Sequence, residues 1–458
     1  MNFKLKTLIV GDIFFAAISF YLALNFRFGF DLAHNELHSL PVIRVILFTI
    51  VLITVAYIFD VYNVSKKKNR FDVFNKILQS NCVGFFVLSA LFFLNPEWMI
   101  GRGLLAITLT LFISFQFAWH IIFRSVFGMP YLSEHIIIVG TGCDADIVAM
   151  MIEAAEGVNH KLEGFIVSDD CSEDTVVVPH EKILGEMEQL LEIITKVSAT
   201  KIIITTPSYM NNPFFQNLLL NSKLLGVEIS DVPTYFESVS EKLMLEKIDM
   251  NSMIYSNGFK CSRTVLIVKR FIDIAVSLTG IFLTLPLFPI FILLVKLNSP
   301  GPVFYRQVRV GRLGSHFTLY KFRTMDVDAE IGTGAVWAAE NDGRIKPIAR
   351  FMRKSRLDEL PQLYNVLIGN MSFIGPRPER PEFVRKLQEL IPFYSKRHFL
   401  KPGLTGWAQI KHPYGASVEE SFEKLRYDLY YFKNMNLMLD TVILLKTIRV
   451  IFSQFGGR

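Results

Sequence analysis

Residues 269–297 read KRFIDIAVSLTGIFLTLPLFPIFILLVKL, a run of almost only apolar and small side chains. The run is long enough for a membrane, which a helix crosses with about 20 residues. Pro286 and Pro289 lie near its centre, and each proline removes a helical hydrogen-bond donor and clashes with the preceding turn. We therefore expect a bent helix rather than a straight one.

Positive charge flanks this run on both sides. Lys269 and Arg270 open it, and more basic residues lie at or after its end: Lys296, Arg306, Arg309, Arg312, Lys321 and Arg323. Basic flanks favour the cytosolic side of a membrane, so these charges predict a re-entrant segment that returns to the face it entered. The alternative is an ordinary transmembrane helix that tolerates two prolines.

The composition indicates a membrane protein with several domains. The chain has 458 residues, 51% of them hydrophobic, and its mean hydropathy is +0.36. The net charge is +6, and the basic excess clusters beside apolar stretches and in the last third. Membrane lipid or phosphate is the natural partner of such charge, and nucleic acid is not required. The four cysteines have no CxxC spacing, which argues against a zinc site.

Four apolar stretches predict a four-helix transmembrane domain over residues 1–128. They are Leu8–Phe26, Val42–Phe59, Ile77–Leu94 and Leu104–Phe123. Basic residues cluster before the first stretch and between the second and third, and one follows the fourth. Both ends of this domain are therefore expected on the cytosolic side.

Residues 129–250 alternate short apolar runs with helical stretches, which predicts a Rossmann-like α/β domain. A GxGxxA turn at residues 140–145 would expose helix N-terminal amides, and Asp169 follows the second predicted strand, so nucleotide binding stays open. We favour a turn without cofactor, because no tyrosine after it is followed four residues later by lysine. Regulation or assembly is then the expected role. Residues 251–268 are a connector.

The last domain, residues 269–458, contains five segments of unusual sequence. They are SPGPVFYRQ (299–307), YKFRTM (320–325), RFMRKSRLDELPQL (350–363), GPRPE (375–379) and KPGLTGWAQ (401–409). Strand alternation places Lys321 and Arg323 on one face, where two cations suit a diphosphate. Two solvated strand charges are the alternative.

The third segment predicts a helix to Leu357 and a second short helix from Pro361. Asp358 and Glu359 are adjacent, and in helical geometry their side chains diverge by roughly 100°. One can then attack a phosphate while the other holds a metal. Arg353 can favour an ionised carboxylate, and Arg377 lies between two prolines that can hold its guanidinium for bidentate phosphate binding. Alone, such an acid pair is more often a charged helix end, and GPRPE a rigid surface turn. The combination of segments points to a phosphate site.

In this order, SPGPVFYRQ, YKFRTM, SRLDELPQLYNVL, SFIGPRP and KPGLTGWAQI resemble the catalytic domain of bacterial polyprenyl-phosphate sugar-phosphate transferases, the monotopic phosphoglycosyl transferases. Four N-terminal helices and a Rossmann-like domain are similar to the large form of that family. The resemblance implies an α/β catalytic domain with a re-entrant helix. The family usually bends this helix at a Ser-Pro pair, whereas Leu285-Pro286 stands here after Thr284.

The resemblance also implies a reaction. A UDP-sugar would donate a hexose 1-phosphate to undecaprenyl phosphate and release UMP, starting exopolysaccharide, capsule or O-antigen synthesis at the cytosolic face of the bacterial inner membrane. Asp358 would form a covalent aspartyl sugar phosphate, and Glu359 with Asp358 would hold Mg²⁺. The family's phosphate-binding basic positions are here Lys321, Arg323, Arg353 and Arg377. A homodimer is also expected.

Two other classes of function stay open at this point. A membrane-anchored nucleotide-sugar oxidoreductase would use Gly140 and Gly142 and would be indifferent to Asp358. A non-enzymatic scaffold of polysaccharide export would need only the helices and the middle domain. The missing Tyr and Lys pair argues against the first class, and the intact Asp358-Glu359 pair argues against the second.

Overall fold

The structure, a computed structural model, describes residues 3–29, 42–62, 70–127, 133–154, 160–167, 177–206, 212–248, 250–326, 346–412 and 417–452. The chain forms two compact units, Met1–Tyr235 and Phe236–Arg458. The predicted domain limits at 128, 250 and 268 are finer than this division and stay predictions.

Apolar helices form the first part of the first unit, as the sequence predicts. They are α1 (Phe3–Phe28), α2 (Val42–Ile58), α3 (Arg70–Leu94) and α4 (Arg102–Phe127). Helices α1, α3 and α4 are long and apolar enough to cross a membrane, whereas α2 is shorter, with 17 residues. Buried rings pack between them, and the Phe48 ring lies 6.1 Å from those of Phe20 and Phe112. The four predicted apolar helices are confirmed.

A buried carboxylate joins several parts of this helical bundle. The Tyr62 hydroxyl and the Gln116 amide donate hydrogen bonds to Asp12 Oδ2 at 2.9 and 2.6 Å. His120 Nε2 lies 3.3 Å from the same oxygen. A carboxylate without partners is costly in apolar surroundings, so these contacts stabilise one arrangement of α1 and α4.

A parallel sheet of five strands follows. Its strands are β1 (Glu134–Val139), β2 (His160–Val167), β3 (Ile183–Glu186), β4 (Lys201–Ile204) and β5 (Glu228–Asp231), in the order β3-β2-β1-β4-β5. The helices α5 (Cys143–Ala154), α6 (Leu190–Val197), α7 (Pro213–Leu224) and α8 (Val232–Ser240) alternate with them. Four consecutive aliphatic residues of β1 are fully buried, which is typical of a parallel sheet. The predicted α/β domain is confirmed as a parallel sheet with helices.

Gly140 connects β1 to α5 with a backbone φ of +118°. A Cβ at this position would lie 2.1 Å from Thr205 Oγ1, so the packing of the turn itself requires glycine. This contact accounts for the glycine without a bound nucleotide. Asp169, on which the nucleotide-binding alternative partly depended, lies outside the described residues.

Residues 236–248 pack against the C-terminal part of the second unit and precede the short helix α9 (Met250–Tyr255). Lys433 forms an ion pair with Glu237 at 2.6 Å. The indole N–H of Trp407 donates to a backbone carbonyl in the same stretch at 3.0 Å. These residues belong to the second unit by their contacts, although the sequence pattern assigned them to the middle domain.

The apolar run at residues 269–297 is helical but interrupted. Helix α10 (Arg263–Thr284) is followed by a 3₁₀ turn at Leu285–Leu287, and α11 (Phe288–Asn298) continues from that turn. Pro286 lies in the turn and Pro289 in the first turn of α11. The backbone therefore changes its hydrogen-bonding pattern where the two prolines remove donors.

Both helices beside this turn pack against other parts of the second unit, to which they belong. A Cβ at Gly280 in α10 would lie 2.9 Å from a methyl group of Leu363. The Phe288 and Phe291 rings of α11 lie 5.4 and 5.7 Å from the Phe322 ring. Only 11% of the most apolar window of α10 and α11 is buried, so most of its apolar surface faces away from the protein.

Short strands and helices form the rest of the second unit. Strands β6 (Phe304–Val310) and β7 (His316–Phe322) form an antiparallel hairpin, and β8 (Ser372–Ile374) pairs in parallel with β9 (Gly403–Thr405). The remaining helices are α12 (Pro347–Lys354), α13 (Gln362–Ile368), α14 (Pro381–Leu390), α15 (Trp407–Lys411), α16 (Val418–Lys433) and α17 (Leu437–Phe452). The end of β7, the segment after β8 and the turn between α12 and α13 position the candidate site.

Candidate active site

The acid pair lies in a 3₁₀ turn, Leu357–Glu359, between α12 and α13. The sequence predicts a helix that reaches Leu357, but α12 ends at Lys354, and Arg356 adopts a left-handed backbone with a φ of +59°. A 3₁₀ turn has about three residues per turn, so neighbouring side chains diverge by about 120° rather than the predicted 100°. The two carboxylates therefore have different surroundings.

Cationic side chains converge on one oxygen of Glu359, which is 7% exposed. Its Oε1 accepts hydrogen bonds from Arg377 Nη2 at 2.7 Å, Lys321 Nζ at 3.0 Å and Arg356 Nη1 at 3.4 Å. Burial alone would raise the pKa of Glu359, but these three charges outweigh burial and hold the pKa well below its usual range. Glu359 is therefore ionised, and its negative charge holds three cationic side chains beside Asp358.

Asp358 is equally buried, at 6% exposed, but its pKa shifts in the opposite direction. Burial raises the pKa of Asp358 to about 6, although the Lys321 charge opposes this shift, and the Glu359 charge raises the pKa further. Within the described residues, Asp358 Oδ1 has no hydrogen-bond partner. A buried polar atom of this kind is costly and marks a candidate for contact with a ligand.

The two adjacent carboxyls are suited to different chemical roles. Glu359 binds its three cations through Oε1 and keeps them beside Asp358. The pKa of Asp358, about 6, still lies below 7, so the carboxyl is mostly ionised at pH 7. It also keeps an oxygen available for attack. Neighbouring titratable groups whose pKa values are pushed apart are a recognised sign of divided roles in catalysis.

Three of the predicted basic residues meet at the acid pair. Lys321, on β7, and Arg377, after β8, both donate to Glu359. Arg353, at the end of α12, is near enough for its positive charge to act on Asp358. The site therefore combines a buried carboxylate with several cations, an arrangement that suits the charge of a diphosphate.

Arg323 lies elsewhere. Its Nη2 and Nη1 atoms donate to the backbone carbonyls of Ser299 and Pro300 at 2.6 and 2.9 Å. Strand β7 ends at Phe322, so the alternation that pairs Arg323 with Lys321 on one face does not extend to a shared contact with the acids. The predicted phosphate contact of Arg323 stays a prediction.

Two arginines of this region were missed by sequence reasoning. Arg356 is the third cation on Glu359, and its position three residues before that acid in the SRLDEL segment was a signal that could have found it. Arg397 Nη2 donates to the backbone carbonyl of Arg377 at 3.1 Å. No spacing rule connects these two positions, so the sequence carries no signal for that contact.

The carboxylates of the site fit a small metal-binding donor set. In the part of the chain that the structure describes, no group of three or more His, Cys, Asp or Glu side chains is arranged to hold one. Mg²⁺ needs fewer protein ligands than this, because it is usually bound by one or two carboxylates together with substrate phosphates. The unpartnered Oδ1 of Asp358, next to the Glu359 carboxylate, fits that smaller donor set.

The chain is similar to a known family and to several single proteins. A family described as "Bacterial sugar transferase" matches residues 264–454. The chain is 38% identical over 244 residues to the UDP-N-acetylgalactosamine-undecaprenyl-phosphate N-acetylgalactosaminephosphotransferase of Aeromonas hydrophila, a match that covers 53% of this chain and 57% of the relative.

Two further relatives extend this comparison. The UDP-glucose:undecaprenyl-phosphate glucose-1-phosphate transferase of Xanthomonas campestris pv. campestris is 33% identical over 273 residues, 58% of this chain and 56% of the relative. The chain thus spans little more than half the length of these two transferases. The exopolysaccharide production protein PSS of Rhizobium leguminosarum bv. phaseoli is 37% identical over 188 residues, 40% of this chain and 94% of that protein.

Proposed function

Because the chain belongs to the bacterial sugar transferase family, we propose that it transfers a hexose 1-phosphate from a UDP-sugar to undecaprenyl phosphate. The two transferases of similar sequence are named for undecaprenyl phosphate and for UDP-sugars, which supports both substrates. One observation carries the proposal: a buried Asp358 keeps an unpartnered oxygen beside a Glu359 that holds three cations. The product would start the synthesis of exopolysaccharide, capsule or O-antigen.

In the first step, an oxygen of Asp358 attacks the β-phosphorus of the UDP-sugar. The bond from this phosphorus to the oxygen that bridges the two phosphates breaks, and UMP leaves with that oxygen and its electron pair. The product on the protein is an aspartyl sugar phosphate. A carboxylate nucleophile divides one difficult transfer into two easier ones.

In the second step, a phosphate oxygen of undecaprenyl phosphate attacks the same phosphorus. The bond to Asp358 breaks, the carboxylate is regenerated, and undecaprenyl diphosphate sugar is formed. One phosphoanhydride bond is lost and one is made, so the reaction needs no further source of energy.

The cations of the site would bind the charges of both phosphate groups. Lys321 and Arg377 already converge on Glu359, and Arg353 acts on Asp358. Arg323 uses two of its nitrogens for backbone carbonyls, but its Nε has no partner within the described residues and leaves one donor for a phosphate. Asp358 and Glu359 would hold Mg²⁺, which supplies neutralisation of the diphosphate charge.

We also propose that α10 and α11 form a re-entrant hairpin in the bacterial inner membrane, with the site on the cytosolic side. The 3₁₀ turn between them, the exposed apolar surface and the contacts of both helices with one unit support this arrangement. The basic residues at both ends of the run support the same orientation. For the middle domain we propose a Rossmann-like fold without cofactor, since its strand order agrees with that of doubly wound sheets.

The test is UMP release by the purified full-length chain. UDP-N-acetylgalactosamine and UDP-glucose are each supplied with Mg²⁺, with and without undecaprenyl phosphate. We expect continuous release with one donor in the presence of the lipid, and one UMP per protein without it. Asp358→Asn should abolish both, whereas Asp72→Asn, at an exposed aspartate at the start of α3, should leave them unchanged.

Each alternative gives a different result. Activity that survives in Asp358→Asn would exclude this residue as the nucleophile. Release that requires the lipid even for the first UMP would argue for direct transfer without a covalent intermediate. No UMP release by the unmodified protein with either UDP-sugar would exclude these two donors, and the same result with a full panel of UDP-sugars would overturn the proposed reaction and favour the scaffold.

A further inference from the structure

In the segment that carries Arg377, four consecutive backbone carbonyls accept hydrogen bonds from other parts of the second unit. The donors are two backbone N–H groups and two arginines: Gly403 N to Pro376 O at 2.8 Å, Arg397 Nη2 to Arg377 O at 3.1 Å, Arg309 Nη1 to Pro378 O at 3.1 Å, and Val310 N to Glu379 O at 2.9 Å. Two prolines restrict φ in the same segment. Its backbone therefore has a single well-defined path.

Arg397 is buried together with its partners. It is 6% exposed, and its Nη2 lies 2.7 Å from Oδ2 of Asp428, which is 2% exposed. Its Nη1 donates to the Tyr394 hydroxyl oxygen at 2.6 Å. The guanidinium is thus fixed from α16 and from the residues before β9, while one of its donors reaches Arg377 O.

Stability alone is a weak reason for such an ion pair. Removing two charges from water costs about as much as their attraction returns, and apolar side chains of similar volume often serve as well or better. The pair does one thing that apolar residues cannot do, which is to fix a carbonyl of the active-site segment. The side chain of Arg377 is by contrast 39% exposed and lies 2.7 Å from Glu359. Its backbone is anchored while its guanidinium stays accessible.

We propose that Arg397, held by Asp428, is a positioning residue for the nucleotide donor. It fixes the backbone of Arg377 so that the Arg377 guanidinium meets the diphosphate of the donor in the geometry of transfer. This role rests on the proposed function and adds a residue to it. Cations that are already in place when charge arrives need no reorganisation, and a displacement of about 1 Å can cost on the order of 100-fold in rate.

The test compares Arg397→Lys with Arg385→Lys, an exposed arginine on α14. We expect Arg397→Lys to raise KM for the UDP-sugar and Kd for UDP by about tenfold or more, with KM for undecaprenyl phosphate unchanged. Arg385→Lys should change none of them. Calorimetric titration of UDP measures binding without turnover, so it reports on positioning even where UMP release is absent.

A double-mutant cycle separates positioning from mere stability. If Arg397 acts through Arg377, then Arg397→Lys should change Kd for UDP by less than about twofold when Arg377→Lys is already present. Full additivity of the two changes would overturn the proposal. A lowered unfolding temperature with unchanged UDP affinity would do so as well.

Asp428→Asn is the second variant, in case Arg397→Lys does not fold. It keeps the guanidinium and removes only the charge that fixes it, so we expect a smaller increase in Kd for UDP. Wild-type UDP affinity in Asp428→Asn would exclude the role of Asp428. If the unmodified chain binds UDP but releases no UMP, the proposed transferase reaction fails while the positioning of Arg377 can still be judged.

Discussion

Asp273, in the apolar helix α10, accepts a hydrogen bond from the backbone N–H of Phe373 at 2.8 Å. The Ser372 hydroxyl donates to the same carboxylate oxygen at 3.1 Å. Ser372 and Phe373 form the start of β8, and the segment that carries Arg377 follows this strand. The broken helix is therefore joined through one buried carboxylate to the strand that leads into the site.

Replacement of Asp273 by leucine tests this connection. The change leaves a buried N–H and a buried hydroxyl without their acceptor, at a cost of about 1–3 kcal/mol for such a group. We expect a lower unfolding temperature in detergent and a lower kcat for UMP release. Thr279→Leu is the matched control, because Thr279 lies exposed on the same helix. Equal effects of the two variants would show that Asp273 has no special role.

The pH profile tests the state of Asp358. Burial raises the pKa of Asp358 to about 6, and the proposed attack requires the ionised carboxylate, so we expect kcat/KM to fall about tenfold per pH unit below pH 6. The profile is measured by UMP release from about pH 5 to about pH 8, an interval that extends to both sides of this pKa. A flat profile across this range would contradict the raised pKa.

The same shift predicts the sign of a stability effect. The pKa of Asp358 in the folded protein lies above the value of 3.8 for an ordinary aspartate, so the unfolded chain holds fewer protons between these two values. The free energy of unfolding therefore declines as pH rises from about 4 to about 6. Asp358→Asn removes this decline, and the variant should unfold at a higher temperature than the unmodified chain above pH 6.

The length and apolar content of the helices were enough to predict the membrane part. Residues 42–59 and 77–94 are apolar over nearly the length that spans a membrane, and a membrane helix is the usual structure of apolar runs of that length. The strand β1 was equally clear, because four aliphatic residues in succession favour a buried strand. The boundary at Lys354 was not predictable, since Arg356 adopts a left-handed backbone that residues with a Cβ atom rarely adopt.

The polar contacts of the site were only partly predictable. Lys321, Arg377 and the acid pair were found through short segments whose order resembles a known family. The contacts of Arg397 with Asp428 and of Asp273 with Phe373 join segments that are far apart in the chain. Hydrophobic periodicity predicts which faces are buried, but it contains no information about which buried polar groups meet.

Lys321→Gln and Arg323→Gln should separate substrate binding from loop support. Lys321 contacts the acid pair, so its loss should raise Kd for UDP with little change in the unfolding temperature. Arg323 is 4% exposed and donates to two carbonyls. Its loss should reduce the free energy of unfolding by about 1–3 kcal/mol and thereby lower the unfolding temperature. Titration calorimetry and thermal unfolding of both variants give the comparison. Weaker UDP binding by a fully stable Arg323→Gln would instead support its predicted phosphate contact.

Cysteine labelling tests the re-entrant hairpin. Lys260 precedes α10 and His316 follows α11, and both residues are exposed. Each is replaced by cysteine in a chain without its four native cysteines, and a membrane-impermeant maleimide is applied to intact spheroplasts and to inverted vesicles. We expect both positions to react only in inverted vesicles, because a re-entrant segment with basic residues at both ends would return to the cytosolic face.

A double variant, Pro286→Leu with Pro289→Leu, makes this test stricter. Leucine restores two helical donors, so the 35-residue run Arg263–Leu297 could then continue as one straight helix. Continued labelling of both positions from the cytosolic side would show that the contacts of α10 and α11 with their unit hold the hairpin without the prolines. Movement of residue 316 to the other face would show that the prolines are the cause of the bend. Labelling of residues 260 and 316 from opposite faces in the chain that retains both prolines would exclude a re-entrant segment altogether.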